Sequence, residues 1–351
     1  MATRWQLDNP KWRILLFGIL FIGLTVAGIY VVYSAFADQS FTFDRRLLSP
    51  SAIAATVILL LIYFASDGLR LYYTLRALGH DISLSVIARL VFINLFFSNI
   101  TPMATGGGFA QIWYLHKNGV SAGHATAATT IRTVLAVLFI FTLTPIGLFT
   151  LEPLNSSSIF RDIGSTLILL VIVYLSFFVT VIFRTRWLIY PSLSFLRLLF
   201  RFKTIKEETY RSWHYKIRRE ILRFSFAFRE YFSGGTLWVV LSVVFTVIFL
   251  LSLFSFPAVL IYALGYDVNY LTIIGLLVVT TFVMYFSPTP GASGISEGVF
   301  GSFFKDILGS NHLILVIVAW RFLTIYLGMI IGIFIFQKTL SEAANVSNDD
   351  A

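Results

Sequence analysis

The sequence predicts an all-α polytopic membrane protein, with about six full spans and two re-entrant hairpins broken at Pro/Gly clusters. Three observations lead to that fold class. The 351 residues are 58% hydrophobic and only 12% charged, with a mean hydropathy of +0.85, whereas soluble domains carry about 25% charged residues. Apolar runs such as 14–32 and 166–183 reach the roughly 20 residues that cross about 30 Å of hydrocarbon. These runs do not alternate polar with apolar, so a membrane β-barrel is excluded.

The elements follow in order. Spans are expected at 13–36, 51–73, 122–149, 161–183, 236–264 and 311–336. The first could be mistaken for a secretory leader, because Ala35-Phe36-Ala37 resembles a cleavage site. Its apolar stretch exceeds the usual leader length of about 7–15 residues, which favours a retained span. Two further apolar segments, 86–100 and 270–287, run into breaks. The first break contains Pro102, Gly106, Gly107 and Gly108, and the second contains Pro288, Pro290, Gly291 and Gly294. Short amphipathic pieces follow at 109–117 and 295–305. Proline lacks an N–H and glycine leaves backbone bare, so each break frees peptide groups that lipid cannot satisfy. Such backbone is tolerated at membrane depth only inside protein or beside a wet cavity.

Charge sets the expected topology. Of the formal net charge of +9, most lies in 184–235, where twelve Lys and Arg from Arg184 to Arg229 face Glu207, Glu208, Glu220 and Glu230. A basic segment clamped between spans reads as a cytoplasmic loop, not a nucleic-acid surface. Its interleaved Trp187, Tyr190, Phe195, Leu198, Phe200 and Trp213 suggest interfacial helices on anionic headgroups. Arg4, Lys11 and Arg13 put the N-terminus on the same side, in the inner or plasma membrane. Counting spans then makes 86–117 a hairpin entering from the cytoplasm and 270–305 one entering from outside, with the C-terminal tail 337–351 cytoplasmic. One membrane domain fills 1–351. It contains two units of like parts and opposite orientation, at about 51–149 and 236–336. Thr101-Pro102 with Gly106 matches Thr289-Pro290 with Gly294 at equal spacing, and an arginine, Arg132 or Arg321, follows each. Inverted repeats with broken helices are a mark of alternating-access carriers.

Ionisable residues inside a membrane are expensive and normally face a cavity or a partner. Glu297 and Arg321 could bind a headgroup or exchange protons, or could be an ion pair locking the second hairpin to the last span. Arg132 could hold a lipid phosphate or snorkel to the inner interface. Asp67 and Arg70, three apart on one helix face, read as a structural pair. Asn99 and Gln111 flank the first break and could satisfy freed backbone or touch a headgroup.

Other motifs carry little. Gly294-Ile295-Ser296-Glu297-Gly298 fits the G-x-S-x-G pattern but opens a membrane helix, not a strand–turn–helix elbow. Gly328 and Gly332 satisfy G-x-x-x-G and read as close helix packing. The chain has no cysteine. His80, His116, His124, His214 and His312 are scattered without metal-ligand spacing, and Gly106-Gly107-Gly108 lacks a P-loop lysine. No cofactor, metal or catalytic constellation is expected.

The stretch from Thr101 to Val120, including Gly106-Gly107-Gly108-Phe109-Ala110-Gln111, resembles the first motif of a flippase-like membrane family. That family includes the transmembrane part of the lysylphosphatidylglycerol synthases. Ser287-Pro288-Thr289-Pro290-Gly291-Ala292-Ser293-Gly294-Ile295-Ser296-Glu297-Gly298 is similar to its second motif. Trp320-Arg321-Phe322 is similar to the arginine of its last span, and Asp67-Gly68-Leu69-Arg70 is a looser match. The resemblance implies a stand-alone member without the synthase domain and a lipid-translocation fold. Its substrate would be a phospholipid or a polyprenyl-phosphate-linked lipid. Two alternatives stand beside it: a transferase using a lipid carrier, and an accessory protein of cell-envelope synthesis. A homodimer or an envelope-synthesis partner is compatible with each.

Overall fold

The structure is a computed structural model and describes residues 42–150 and 207–349, with isolated positions between 19 and 30 and between 169 and 201. Apart from those positions, the expected spans 13–36 and 161–183, and the first part of the basic segment, lie outside the described residues.

Every regular element among the described residues is helical. A 3-10 turn, Arg45–Leu48, leads into α1 (Pro50–Ala77), whose first turn is capped by the Ser49 hydroxyl and opened by proline, as helix starts favour. Then come α2 (Leu84–Ile100), α3 (Thr105–Lys117) and α4 (Ala122–Thr150). After α5 (Glu207–Ser233), α6 (Thr236–Ala263), α7 (Tyr270–Met284) and α8 (Ile295–Phe304) repeat that order. The chain ends in α9 (Ser310–Arg321), a π-turn over Phe322–Tyr326, and α10 (Leu327–Asp349). Among the described residues, four helices are long and apolar enough to cross a membrane: Pro50–Ala77, Ala122–Leu148, Thr236–Ala263 and Ser310–Thr339. The chain is therefore an all-α, multi-pass membrane protein. The expected span at 311–336 is one path with a π-turn directly after Arg321, and α1 extends four residues past its expected end.

Large apolar side chains stay exposed along the long helices, among them Val57, Ile58 and Leu61 of α1 and Leu237, Val240 and Val244 of α6. In water such stripes would be a liability, whereas in a bilayer they are the solvent-facing surface. The central contact is α1 against α6. Tyr73, near the end of α1, stacks on Trp238 at the start of α6, and Tyr63 stacks on Phe249. The two helices therefore run antiparallel.

Their surroundings match position by position. Both are 28 residues long. Each is followed by a left-handed glycine, Gly79 (φ 75°) or Gly265 (φ 83°). A side-chain cap, Ser83 or Asn269, then starts the next helix. At each break an extended threonine precedes proline, and the next two residues are left-handed: Met103 and Ala104 (φ 53° and 54°), Gly291 and Ala292 (φ 56° and 54°). Three of those four are not glycine, a cost of about 1–3 kcal/mol each that surrounding packing must enforce.

The two breaks touch each other, and α2 touches the second. Close approach explains Gly106 and Gly107 at the first break. A Cβ on Gly107 would stand 1.8 Å from Ser98 Oγ, and one on Gly106 would stand 2.6 Å from the Thr101 side chain. Gly328 and Gly332 let α10 ride on α2, where a Cβ on Gly332 would lie 2.2 Å from the Phe92 carbonyl oxygen.

Candidate functional site

A cavity of about 420 Å³ opens where the two breaks meet. Its walls come from α2 (Asn94, Ser98, Asn99), α3 (Gly108, Gln111), α4 (Thr129, Arg132, Thr133), both breaks (Met103, Ala104, Thr289, Gly291, Ala292) and apolar faces of α6 and α7. Arg70 and Arg132 line it.

Asp67 organises these two arginines. Nη2 of Arg70 and Nη2 of Arg132 each lie 2.5 Å from Asp67 Oδ1, and Arg70 Nε donates to the same oxygen at 2.8 Å. All three residues are buried. Asp67 does not line the cavity, so one carboxylate sits behind two guanidinium groups that do. The wall keeps a net positive charge, and Arg70 is further held by stacking 3.7 Å over the Phe249 ring, a cation–π contact. Asp67 lies ten residues before the end of α1, and Arg132 ten residues past the start of α4. Ten residues at 1.5 Å each is about 15 Å, roughly half the hydrocarbon thickness.

Three buried polar atoms on this wall have no hydrogen-bond partner among the described residues: Arg132 Nε, Gln111 Oε1 and Thr129 Oγ1. A buried orphan costs about 1–3 kcal/mol, so three around one cavity mark a surface made to meet polar matter. Nearby groups are satisfied. Gln111 Nε2 donates to Asn94 Oδ1, Ser98 Oγ donates to the same oxygen, and Asn99 Nδ2 returns to the Leu95 carbonyl of its own helix.

Glu297 and Arg321 form a second centre. Both are fully buried, with Arg321 Nε 2.7 Å from Glu297 Oε1. Glu297 Oε2 accepts from Gly294 N–H at 2.7 Å and from Ser296 Oγ–H at 2.9 Å, capping α8. Arg321 Nη2 donates to the Gly291 carbonyl and to Ser293 Oγ. The pair ties the second break to the end of α9, and neither residue lines the cavity.

The sequence-predicted residues thus divide. Asp67, Arg70, Arg132, Asn99, Gln111 and Gly108 gather at or just behind the cavity wall, with Gly291 and the second break across from them. Glu297 and Arg321 stand apart. Sequence reasoning missed Asn94 and Thr129, and had Ser98 and Thr289 only as members of the two breaks. It also missed the Asp67–Arg132 bond, although equal depth from the same end of two neighbouring helices was a usable signal.

The chain is 25% identical over 285 residues to a protein of Archaeoglobus fulgidus described as a UPF0104 membrane protein, covering 80% of this chain and 84% of that one. Residues 12–332 match the family described as the lysylphosphatidylglycerol synthase TM region. The chain belongs to that family of membrane regions.

Proposed function

We propose that the protein is a lipid translocator that carries a phosphate-bearing headgroup through the cavity between the two breaks while the hydrocarbon tail stays in the bilayer. The observation that carries the reading is the Asp67-backed pair Arg70 and Arg132, about 15 Å from the helix ends, facing a cavity whose wall holds three polar atoms unpartnered among the described residues. A guanidinium fork suits phosphate oxygens, and Gln111 Oε1 could accept from a hydroxyl or amine on the headgroup. Phospholipids and polyprenyl-phosphate-linked lipids both present such a phosphate. No covalent step is assigned, so the protein is a transporter in this reading, not an enzyme.

The two helix sets work as inverted repeats, each break being the tip of a re-entrant hairpin. The antiparallel α1 and α6 and the matching left-handed pairs support this. In this reading the basic segment ahead of α6 is cytoplasmic by the positive-inside rule, with both termini on the same side of a plasma membrane. The helix α5 rests on the inner leaflet, its exposed Trp213, Tyr215 and Phe226 in the interface and its basic residues on anionic headgroups.

The test is reconstitution into liposomes with fluorescent phosphatidylglycerol and an impermeant quencher. Faster loss of inner-leaflet signal than in empty liposomes, abolished by Arg132→Gln in a folded variant, is expected. No acceleration with phosphatidylglycerol or with a polyprenyl-phosphate lipid would refute the translocator.

A further inference from the structure

Among the described residues, each end of the helix bundle carries a side-chain staple between the two units, and the two staples correspond position for position. At one end, Glu230 accepts from His124 Nε2 within about 3.2 Å, and His124 Nδ1 lies 2.8 Å from His80 Nε2. At the other end, Asp44 Oδ2 accepts from His312 Nε2 at 3.1 Å, and His312 Nδ1 lies 2.8 Å from the Tyr266 hydroxyl. Gly309 N–H also donates to that hydroxyl; the Asp44 carboxylate can only accept, so His312 holds a proton on Nε2, and in the neutral imidazole Nδ1 accepts from the phenol.

The positions repeat. Glu230 stands six residues ahead of α6, and Asp44 six ahead of α1. His80 lies three residues past the end of α1, and Tyr266 three past the end of α6. His124 is the third residue of α4, and His312 the third of α9. Each acid therefore precedes the first helix of one unit and grips the other unit. It holds both the loop after that unit's first helix and the start of the helix carrying its buried arginine, Arg132 or Arg321. The grips run in opposite senses at opposite ends.

Their chemistry differs from that of the molecule's interior. The staple residues are partly exposed, with Asp44 at 20% and Glu230 at 31%, so water can replace each contact at small cost. Glu297–Arg321 and Asp67–Arg132 are sealed and have no such substitute. The contacts between the units at the two ends thus part easily, while the sealed pairs hold each unit together within itself.

We propose that the Glu230–His124–His80 and Asp44–His312–Tyr266 staples are the two gates of the central cavity, and that opening one exposes the cavity to that side while the other stays shut. Alternation follows from the reciprocal grips: a tilt of α1 against α6 that lifts Glu230 from His124 presses Asp44 toward His312. This inference rests on the translocator reading, but its test requires no lipid movement.

The chain has no cysteine, so Thr129→Cys places a single thiol in the cavity wall. In sealed vesicles of known orientation, a membrane-impermeant maleimide is applied to one side or the other. Adding Glu230→Gln should raise labelling severalfold from the side where α5 meets α6 and lower it from the opposite side. Adding Asp44→Asn should do the reverse. Tyr266→Phe, which removes one hydroxyl, should act in the same direction as Asp44→Asn and serves if that variant does not fold. His124→Gln stands in likewise for Glu230→Gln. Equal changes from both sides, or none in folded variants, would overturn the gates. Opposite changes in a protein that moves no lipid would uphold the gates and refute the proposed cargo.

Discussion

Arg321 and Arg132 both lie about three turns inside their helices, and substitution should separate what they do. Arg321→Ala strips Glu297 of its partner in a fully buried site. Stripping one partner from such a pair costs about 3–5 kcal/mol. Thermal unfolding in detergent should show that loss, and a variant as stable as the parent would contradict the locking role. Arg132→Gln leaves Asp67 with Arg70, so it should unfold nearer the parent temperature while losing headgroup binding. Acidification acts on the two staples unequally. Burial holds the His80 imidazole below its usual range, and His124 pushes the same way against the opposing pull of Glu230, while neighbouring Arg76 and Asp81 pair with each other. A group whose value is lowered on folding contributes fully above its unfolded value, about 6.5, and loses that contribution as pH falls through the folded one. Hydrogen bonds from Arg46 hold Asp44 well below the usual carboxylate range, so its contribution persists far below pH 5. Between about pH 7.5 and 5, thiol labelling should rise from the His80 end first. A rise beginning at the Asp44 end would contradict this.

At the scale of elements, the glycines separate close packing from free space. A side chain on Gly332 would strike the Phe92 carbonyl of α2, a backbone atom that cannot swing aside, whereas Gly298 within α8 has nothing within 4 Å of its Cβ direction. Gly332→Val should therefore lower the unfolding temperature sharply. Gly298→Ala should leave it unchanged or raise stability by about 0.5–1 kcal/mol through helix propensity. Equal effects would mean that α10 does not pack on α2 as described. Helices of this kind were legible in the sequence because bilayer thickness fixes their length, and the breaks because Pro and Gly punctuate them. The π-turn after Arg321 carries no such mark. The left-handed backbone at Met103 and Ala104 was hidden too, since neither residue favours it and only tertiary packing enforces it.

At the scale of the whole molecule, the antiparallel α1–α6 contact brings the two breaks together, and the cavity follows from that meeting. Sequence reasoning found the paired breaks, the matching Thr-Pro spacing and the membrane arginines, which are local patterns. It read the histidines as scattered, because His124 meets Glu230 across 106 residues and His312 meets Asp44 across 268. Pairings between units leave no local spacing to detect. Asp67 read with Arg70 alone for the same reason, its second arginine being 65 residues away. The passage of a headgroup between the breaks is tested most directly at Gly108, which lines the cavity and whose Cβ would find nothing nearer than Thr129 Cγ2 at 3.9 Å. The helix should accept Gly108→Leu without loss of stability, while the new side chain fills the route. Measured in liposomes with fluorescent phosphatidylglycerol, translocation should fall to the level of empty vesicles in this variant while its unfolding temperature holds. Translocation at the parental rate through a plugged cavity would contradict the account.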